Sequence, residues 1–328
     1  MATGEVQVRI DDRVRLIGAL LAASRYPDVA QSRKKHGLHA CARATRKRLA
    51  ELASHRAVQA TDAGLAEASL ESLFTAAMTL DPATLRLRPG AAAARSRDSM
   101  ADDWLDFAEQ ASVRALWQEQ AEAWERSAAE AERALGDAAL RTFLSGYFGP
   151  IDAPFVLVPN ISFPADQTLG LAAPDALMAV VPPRPAWGDS PPWPFDDDPA
   201  YVLGAAVAAF SRVLLWQELR GRTLESSGRL NAELPVSATF RKLYPGETDQ
   251  FVQVISAGLV AVYFEDHLSA QEASAYLLME KRQRGLELLP AAMQTLREYR
   301  ASPKAGTPGA KKALLLTFAA RVRERTET

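Results

Sequence analysis

Residues 201–216 read YVLGAAVAAFSRVLLW, a run of apolar and small side chains interrupted by a single cation, Arg212. Such a stretch reads as a helix, and one apolar on nearly every face is a buried structural element. It follows a loop, 182–199, that is dense in Pro and Trp and ends in the acidic run Asp196, Asp197 and Asp198. Prolines at that density exclude regular structure. Upstream of the loop, PFVLVP at 154–159 and ALMAVVP at 176–182 are short β-rich runs bounded by turn residues, and both read as strands.

The rest of the chain is helical in pattern. Asp11 and Asp12 suit the start of a helix over 13–24, whose apolar residues recur at helical spacing. Further helices are expected over 39–54 and 63–80. A long amphipathic one over 101–135 carries Trp104, Phe107, Leu116, Trp117 and Trp124. Another, over 138–147, stops at Phe148, Gly149 and Pro150. Residues 87–97 read as an exposed connection. Beyond 216, helices are expected near 247–267, 269–286, 288–300 and 309–325. The fold class is therefore mainly α with a small β-sheet (α+β). Residues 1–145 form a helical N-terminal region and 146–328 a second region with the strands and the core helix, the two either separate or one continuous domain.

The formal net charge of −2 over 328 residues gives no global pull toward nucleic acid or an anionic membrane. The single Cys41 excludes an intrachain disulfide and a cysteine-based structural zinc site, and fits a reducing compartment. The N-terminus lacks an apolar segment of signal-peptide length, and no uninterrupted apolar run reaches the roughly 18 to 20 residues that span a bilayer. A soluble cytoplasmic protein is expected.

Four local constellations bear on chemistry. His36, His39 and Cys41 place two imidazoles and a thiol close together, but at no ligand spacing with a mechanical rationale; a helix N-terminal region is the plainer reading. Residues 33–48 carry Arg33, Lys34, Lys35, Arg43, Arg46, Lys47 and Arg48 with no acid, which suits either a phosphate backbone or a solvated or protein-contacting face. Glu265, Asp266 and His267 supply carboxylates beside an imidazole, yet helix neighbours point about 100° apart and cooperate poorly. Trp187, Trp193 and Phe195 in the proline loop suit a packed crossing, a cover over a cleft or a partner contact. Neither a G-x-S-x-G nucleophile elbow nor a phosphate-cradling glycine loop is present.

A string of short matches in a fixed order resembles a family of bacterial zincin-like proteins of the gluzincin type, whose intact members carry H-E-F-S-H. Residues 10–17 (IDDRVRLI) are similar to the family's opening segment, and His55, Arg56, Ala57 and Val58 to its His-Pro-Ala-Val stretch. Tyr147 to Pro150, followed by 155–160 (FVLVPN), resemble its first strand and the Pro-Asn turn after it. Phe210 and Ser211 match the middle of H-E-F-S-H. Residues 256–262 (SAGLVAV) sit where the family has Asn-Glu-x-Leu-Val-Arg-Ala, and 281–287 (KRQRGLE) resemble a later Lys-x-x-Gly-Phe segment.

The departures carry the functional message. Carried over on this resemblance, Ala208 and Arg212 stand for the two zinc-binding His, Ala209 for the Glu that activates water, and Ala257 for the Glu that is the third ligand. A catalytic zinc of this class needs three protein donors and an open position for water. Alanine has no donor atom, and a guanidinium repels the ion. The resemblance thus implies a catalytically inactive metallopeptidase-like protein with no metal and no cofactor, binding a peptide or protein in the remnant cleft or serving structure alone. Candidate binding residues are Arg212, Trp187 and Trp193. Arg212 either fills the metal's space and pairs with a carboxylate, or packs its stem on the helix and reaches solvent. Two alternatives stay open: a non-zinc enzyme reusing the cleft through Glu265, His267 or Arg212, and a nucleic-acid-associated helical protein acting through 33–48.

Overall fold

The structure, a computed structural model, describes residues 5–33, 35–89, 95–219 and 234–326. The elements begin with β1 (Gln7–Val8), α1 (Asp12–Ala23), α2 (Tyr26–Arg33), α3 (Ala40–Leu49), α4 (Arg56–Glu67) and α5 (Leu70–Ala77). They continue with α6 (Arg95–Gln110), α7 (Val113–Glu119), α8 (Ala121–Leu135), α9 (Leu140–Phe148), β2 (Phe155–Pro159), β3 (Leu169–Ala172) and β4 (Leu177–Val181). The chain ends with α10 (Pro199–Leu219), α11 (Ala238–Leu243), α12 (Glu247–His267), α13 (Ala270–Arg284), α14 (Leu289–Arg300) and α15 (Ala310–Thr326). This is a mainly helical α+β fold with one small mixed sheet among the described residues.

Two compact units form. One holds residues 7–136 and 154–202; the other holds the segment ending at Val6, 137–153 and 203–328. The partition differs from a division at 145/146 because the strands at 155–181 need partners that come from the front of the chain. β1 pairs parallel with β2, β2 parallel with β4, and β3 antiparallel with β4, in the order β1-β2-β4-β3. Parallel strands require a crossover, and here it is the whole helical segment from α1 to α9.

β2 and β4 are buried at every position, as expected of parallel strands covered on both faces. Val156, Val158, Met178 and Val180 on one face join the core built by Val14, Ile17, Leu21, Phe74, Trp104 and Phe107. A buried ion pair ties that core together. Arg13, fully buried, donates from Nε to Asp11 Oδ1 at 2.9 Å and from Nη2 to Oδ2 at 2.6 Å. Its Nη1 donates to the Met78 carbonyl at 3.3 Å, joining the start of α1 to the end of α5. Asp11 also caps α1 by accepting from the Arg13 backbone N–H at 3.0 Å.

The all-helical unit is centred on α12, which packs on α13 and α14. A Cβ at Gly258 would lie 2.6 Å from Leu296 Cδ1, so glycine lets α12 and α14 approach. Gly149 ends α9 at φ +79, where a Cβ would meet the Thr307 carbonyl oxygen at 2.4 Å.

The helix expected over 39–54 ends at Leu49, α2 and α11 form where no helix was expected, and three further differences have a local cause. The helix expected over 63–80 is two, α4 and α5, because Ser69 caps α5 by accepting from the Ser72 N–H. The helix expected over 101–135 breaks at Ser112, whose φ is +48, and again at Gln120. In the connection expected over 87–97, α6 already begins at Arg95, and residues 90–94 lie outside the described residues. By length and composition α10 could cross a bilayer, but 61% of its most apolar window is buried in the protein, as in a core helix.

Candidate functional site

Three helix stripes in the all-helical unit converge around the positions that the resemblance singles out. On α12, Gln253, Ala257, Val260 and Phe264 recur at steps of four, three and four, which lines them along one face. Val260 and Phe264 meet α10 at Gly204, where a Cβ would sit 3.4 Å from Val260 Cγ1 and 2.7 Å from Phe264 Cζ. On α10, four-residue steps lead from Gly204 to Ala208 and on to Arg212. Ala257 is 2% exposed on the stripe between Gln253 and Val260. Ala208 and Arg212 are half-buried, whereas Ala209 is fully buried.

The third stripe is on α13, where Tyr276, Glu280 and Arg284 follow at four-residue steps. Phe264 meets the Tyr276 ring edge-on, with centroids 5.4 Å apart. Arg284 forms an ion pair with buried Glu280. It also donates from Nη1 to the Tyr244 hydroxyl at 3.2 Å and to Gln253 Oε1 at 3.3 Å. The Tyr276 hydroxyl also hydrogen-bonds to Glu280.

Burial pushes the Glu280 carboxyl above its ordinary range, and the attraction of Arg284 offsets this only in part. Arg284, its side chain only 23% exposed, sets Nε and Nη2 on the single oxygen Oε2 of Glu280 and gives Nη1 to Tyr244 and Gln253. Burial and the neighbouring Glu280 also raise the Tyr276 phenol, while the charges of Arg284 and Arg212 act the other way. Arg212 is thus within electrostatic reach of this cluster. On α12, the buried Ser256 Oγ has no hydrogen-bond partner among the described residues.

The set contains two guanidinium groups, a buried carboxyl raised by its burial, two phenols and an amide. It can hold an acidic or hydrogen-bonding group. It does not fit zinc, because positions 208, 209, 212 and 257 offer no lone pair for a metal. Sequence reading missed Tyr244, Gln253, Tyr276, Glu280 and Arg284. The available signal was the Tyr276–Glu280–Arg284 spacing, which sets a carboxylate four residues before a cation on one helix face.

The other sequence candidates fall elsewhere. Trp187 and Trp193 are 79% and 51% exposed, in the sheet-containing unit. Their loop is fastened by a bridge between His36 and Trp187, by Trp193 N–H to the Arg184 carbonyl at 3.0 Å, and by an Arg184–Asp198 ion pair. Phe195 is buried in the same loop. His39 caps α3, its Nδ1 accepting from the Cys41 N–H at 3.1 Å. No three His, Cys, Asp or Glu side chains converge to hold a metal ion among the described residues, so His36, His39 and Cys41 do not form such a group. Glu265 pairs with Arg297 and Asp266 with Arg300, whereas His267 stacks on Tyr263 at 4.5 Å; the three form no acid–base set. In the basic segment, Lys35, Arg46 and Arg48 pair with Asp189, Asp28 and Glu119. Lys34 lies outside the described residues.

Comparison with protein-family models, curated proteins and solved structures finds no match to this chain.

Proposed function

We propose that this chain is a zincin-like protein that has exchanged its metal site for charged side chains, and that it binds a peptide or protein segment in the cytoplasm without cleaving it. The observation that carries this reading is the meeting of α10 and α12 at Gly204, with Ala208 and Ala257 on the two stripes that run from that contact. The resemblance requires its zinc ligands on two helices packed in this way. Where it would have a dication, this chain has the Arg212 guanidinium bearing on Tyr276, backed by Glu280 and Arg284. In this reading Arg212 and Arg284 supply fixed positive charge, Glu280 anchors Arg284 through their ion pair, and Tyr276 orients the group that is bound.

Elemental analysis of untagged protein purified without chelators tests the loss of the metal. Less than about a tenth of an equivalent of zinc, with no chelator-sensitive peptide hydrolysis, is expected. Close to one equivalent, or hydrolysis abolished by a chelator, overturns the proposal.

A further inference from the structure

Where α1 gives way to α2, the sheet-containing unit opens into a cavity of about 600 Å³. That lies within the range of roughly 300 to 1,000 Å³ that accepts small organic ligands. Ala22 and Ala23, from the buried end of α1, form the floor, with Ala50, Ala53 and Ala63 around it. Alanine leaves space and offers no side-chain hydrogen bond, so recognition falls to the polar groups that also line the cavity: Ser24 and Gln59, and the charged Arg25, Asp28, Arg46 and Asp62.

These charges form two pairs between different elements. Arg46 Nη2 lies 2.6 Å from Asp28 Oδ1, and Arg25 Nε lies 3.5 Å from Asp62 Oδ2. The Arg25 backbone N–H donates to Asp62 Oδ1 at 3.1 Å, which holds that carboxylate at the opening, its side chain 19% exposed. The Arg25 side chain is 82% exposed. Exposed pairs of this kind contribute about 0 to 1 kcal/mol, so a ligand can replace one partner at small cost. The four charges sum to zero. A simple anion or cation therefore meets as much repulsion as attraction, whereas a molecule carrying both signs satisfies both carboxylate and guanidinium. α1 ends here with no basic residue in its last turn, and the partial negative charge of a helix C-terminus favours an ammonium.

We propose that this cavity binds a short zwitterion of the amino-acid class, a peptide of two or three small residues with free ends. Its ammonium meets Asp62 and its carboxylate meets Arg46, while its side chains lie on the alanines.

Titration calorimetry on the full chain with trialanine tests this. Saturable binding is expected, weakened at least about ten-fold when both ends of the peptide are blocked by acetylation and amidation. Arg46→Gln and Asp62→Asn each weaken it by a similar factor. Arg133→Gln, which removes an ion pair with Asp196 elsewhere in the unit, leaves it unchanged. Absence of binding by free trialanine, or equal binding of the blocked peptide by the unaltered protein, overturns the proposal. So does unchanged affinity in folded Arg46→Gln and Asp62→Asn.

Discussion

Arg13 in the sheet-containing unit and Arg284 in the all-helical unit each face a buried carboxylate, yet the two carboxylates are driven in opposite directions. Burial raises the Asp11 carboxyl, but two hydrogen bonds and the full charge of Arg13, helped by Arg9, hold it below its ordinary value. Burial raises Glu280 as well, and there Arg284 does not win. The difference is geometric. Asp11 and Arg13 are two residues apart, bidentate and closed to solvent, with the remaining guanidinium donor spent on the Met78 carbonyl. Arg284 instead sets both Nε and Nη2 on the one oxygen Oε2 of Glu280, which has no second cation among the described residues to match Arg9, and spends Nη1 on Tyr244 and Gln253. The first pair is saturated and structural. The second keeps a raised carboxyl bonded to Tyr276, on which the charge of Arg212 also acts, the kind of perturbed group that marks a functional site.

The contrast breaks most visibly at Asp11. Asp11→Asn strips the charge from the partner of a fully buried guanidinium, and about 3 to 5 kcal/mol of stability should be lost in urea unfolding. A loss under about 1 kcal/mol would mean that Arg13 finds other compensation. Gly204→Ala probes the seam of the second region, since its new methyl must displace the Phe264 ring. A cost of about 1 to 3 kcal/mol is expected, and a neutral effect would show that α10 and α12 have room to part.

Glu280→Gln should cost less than Asp11→Asn, about 1 kcal/mol, because burial works against the charged form of Glu280 more than Arg284 supports it. An equal cost for both would erase the distinction drawn between the pairs.

Acid sharpens the same contrast with the smallest effect. Asp11 is depressed in the folded protein, so its stabilisation is present above the ordinary value of 3.8 and disappears as pH falls through the folded value beneath it. Glu280 is raised, so its contribution is complete below 4.5 and is lost as pH climbs through the folded value above it. Hydrogen exchange of β2 and β4 should therefore quicken on acidification through that window, relative to the exchange of α12. Parallel changes in both would contradict the assignment.

How much could be read from the chain follows the same physical lines. The bounds of α12 were legible because an apolar run lies between Gly246 and the polar end at Asp266 and His267. β2 and β4 were legible as continuous β-branched and apolar runs. β1 and β3 were not, because Gln7 and Val8 become a strand only by pairing with Val156 and Leu157, and LGLA at 169–172 only by pairing with β4. The break at Ser112 depends on a left-handed backbone that amphipathic spacing does not encode. At the candidate site, Arg212 and the alanines could be marked along the chain. The Glu280 cluster could not, since its burial is created by α12 packing against α13.

If the seam between α10 and α12 is a vacated zinc site, returning its donors should refill it. The triple variant Ala208→His, Arg212→His and Ala257→Glu supplies three ligands on the two stripes, and elemental analysis of the folded variant should find about one equivalent of zinc, against a trace in the parent. A variant that folds with native helicity and holds no zinc would show that these three positions never faced a common metal.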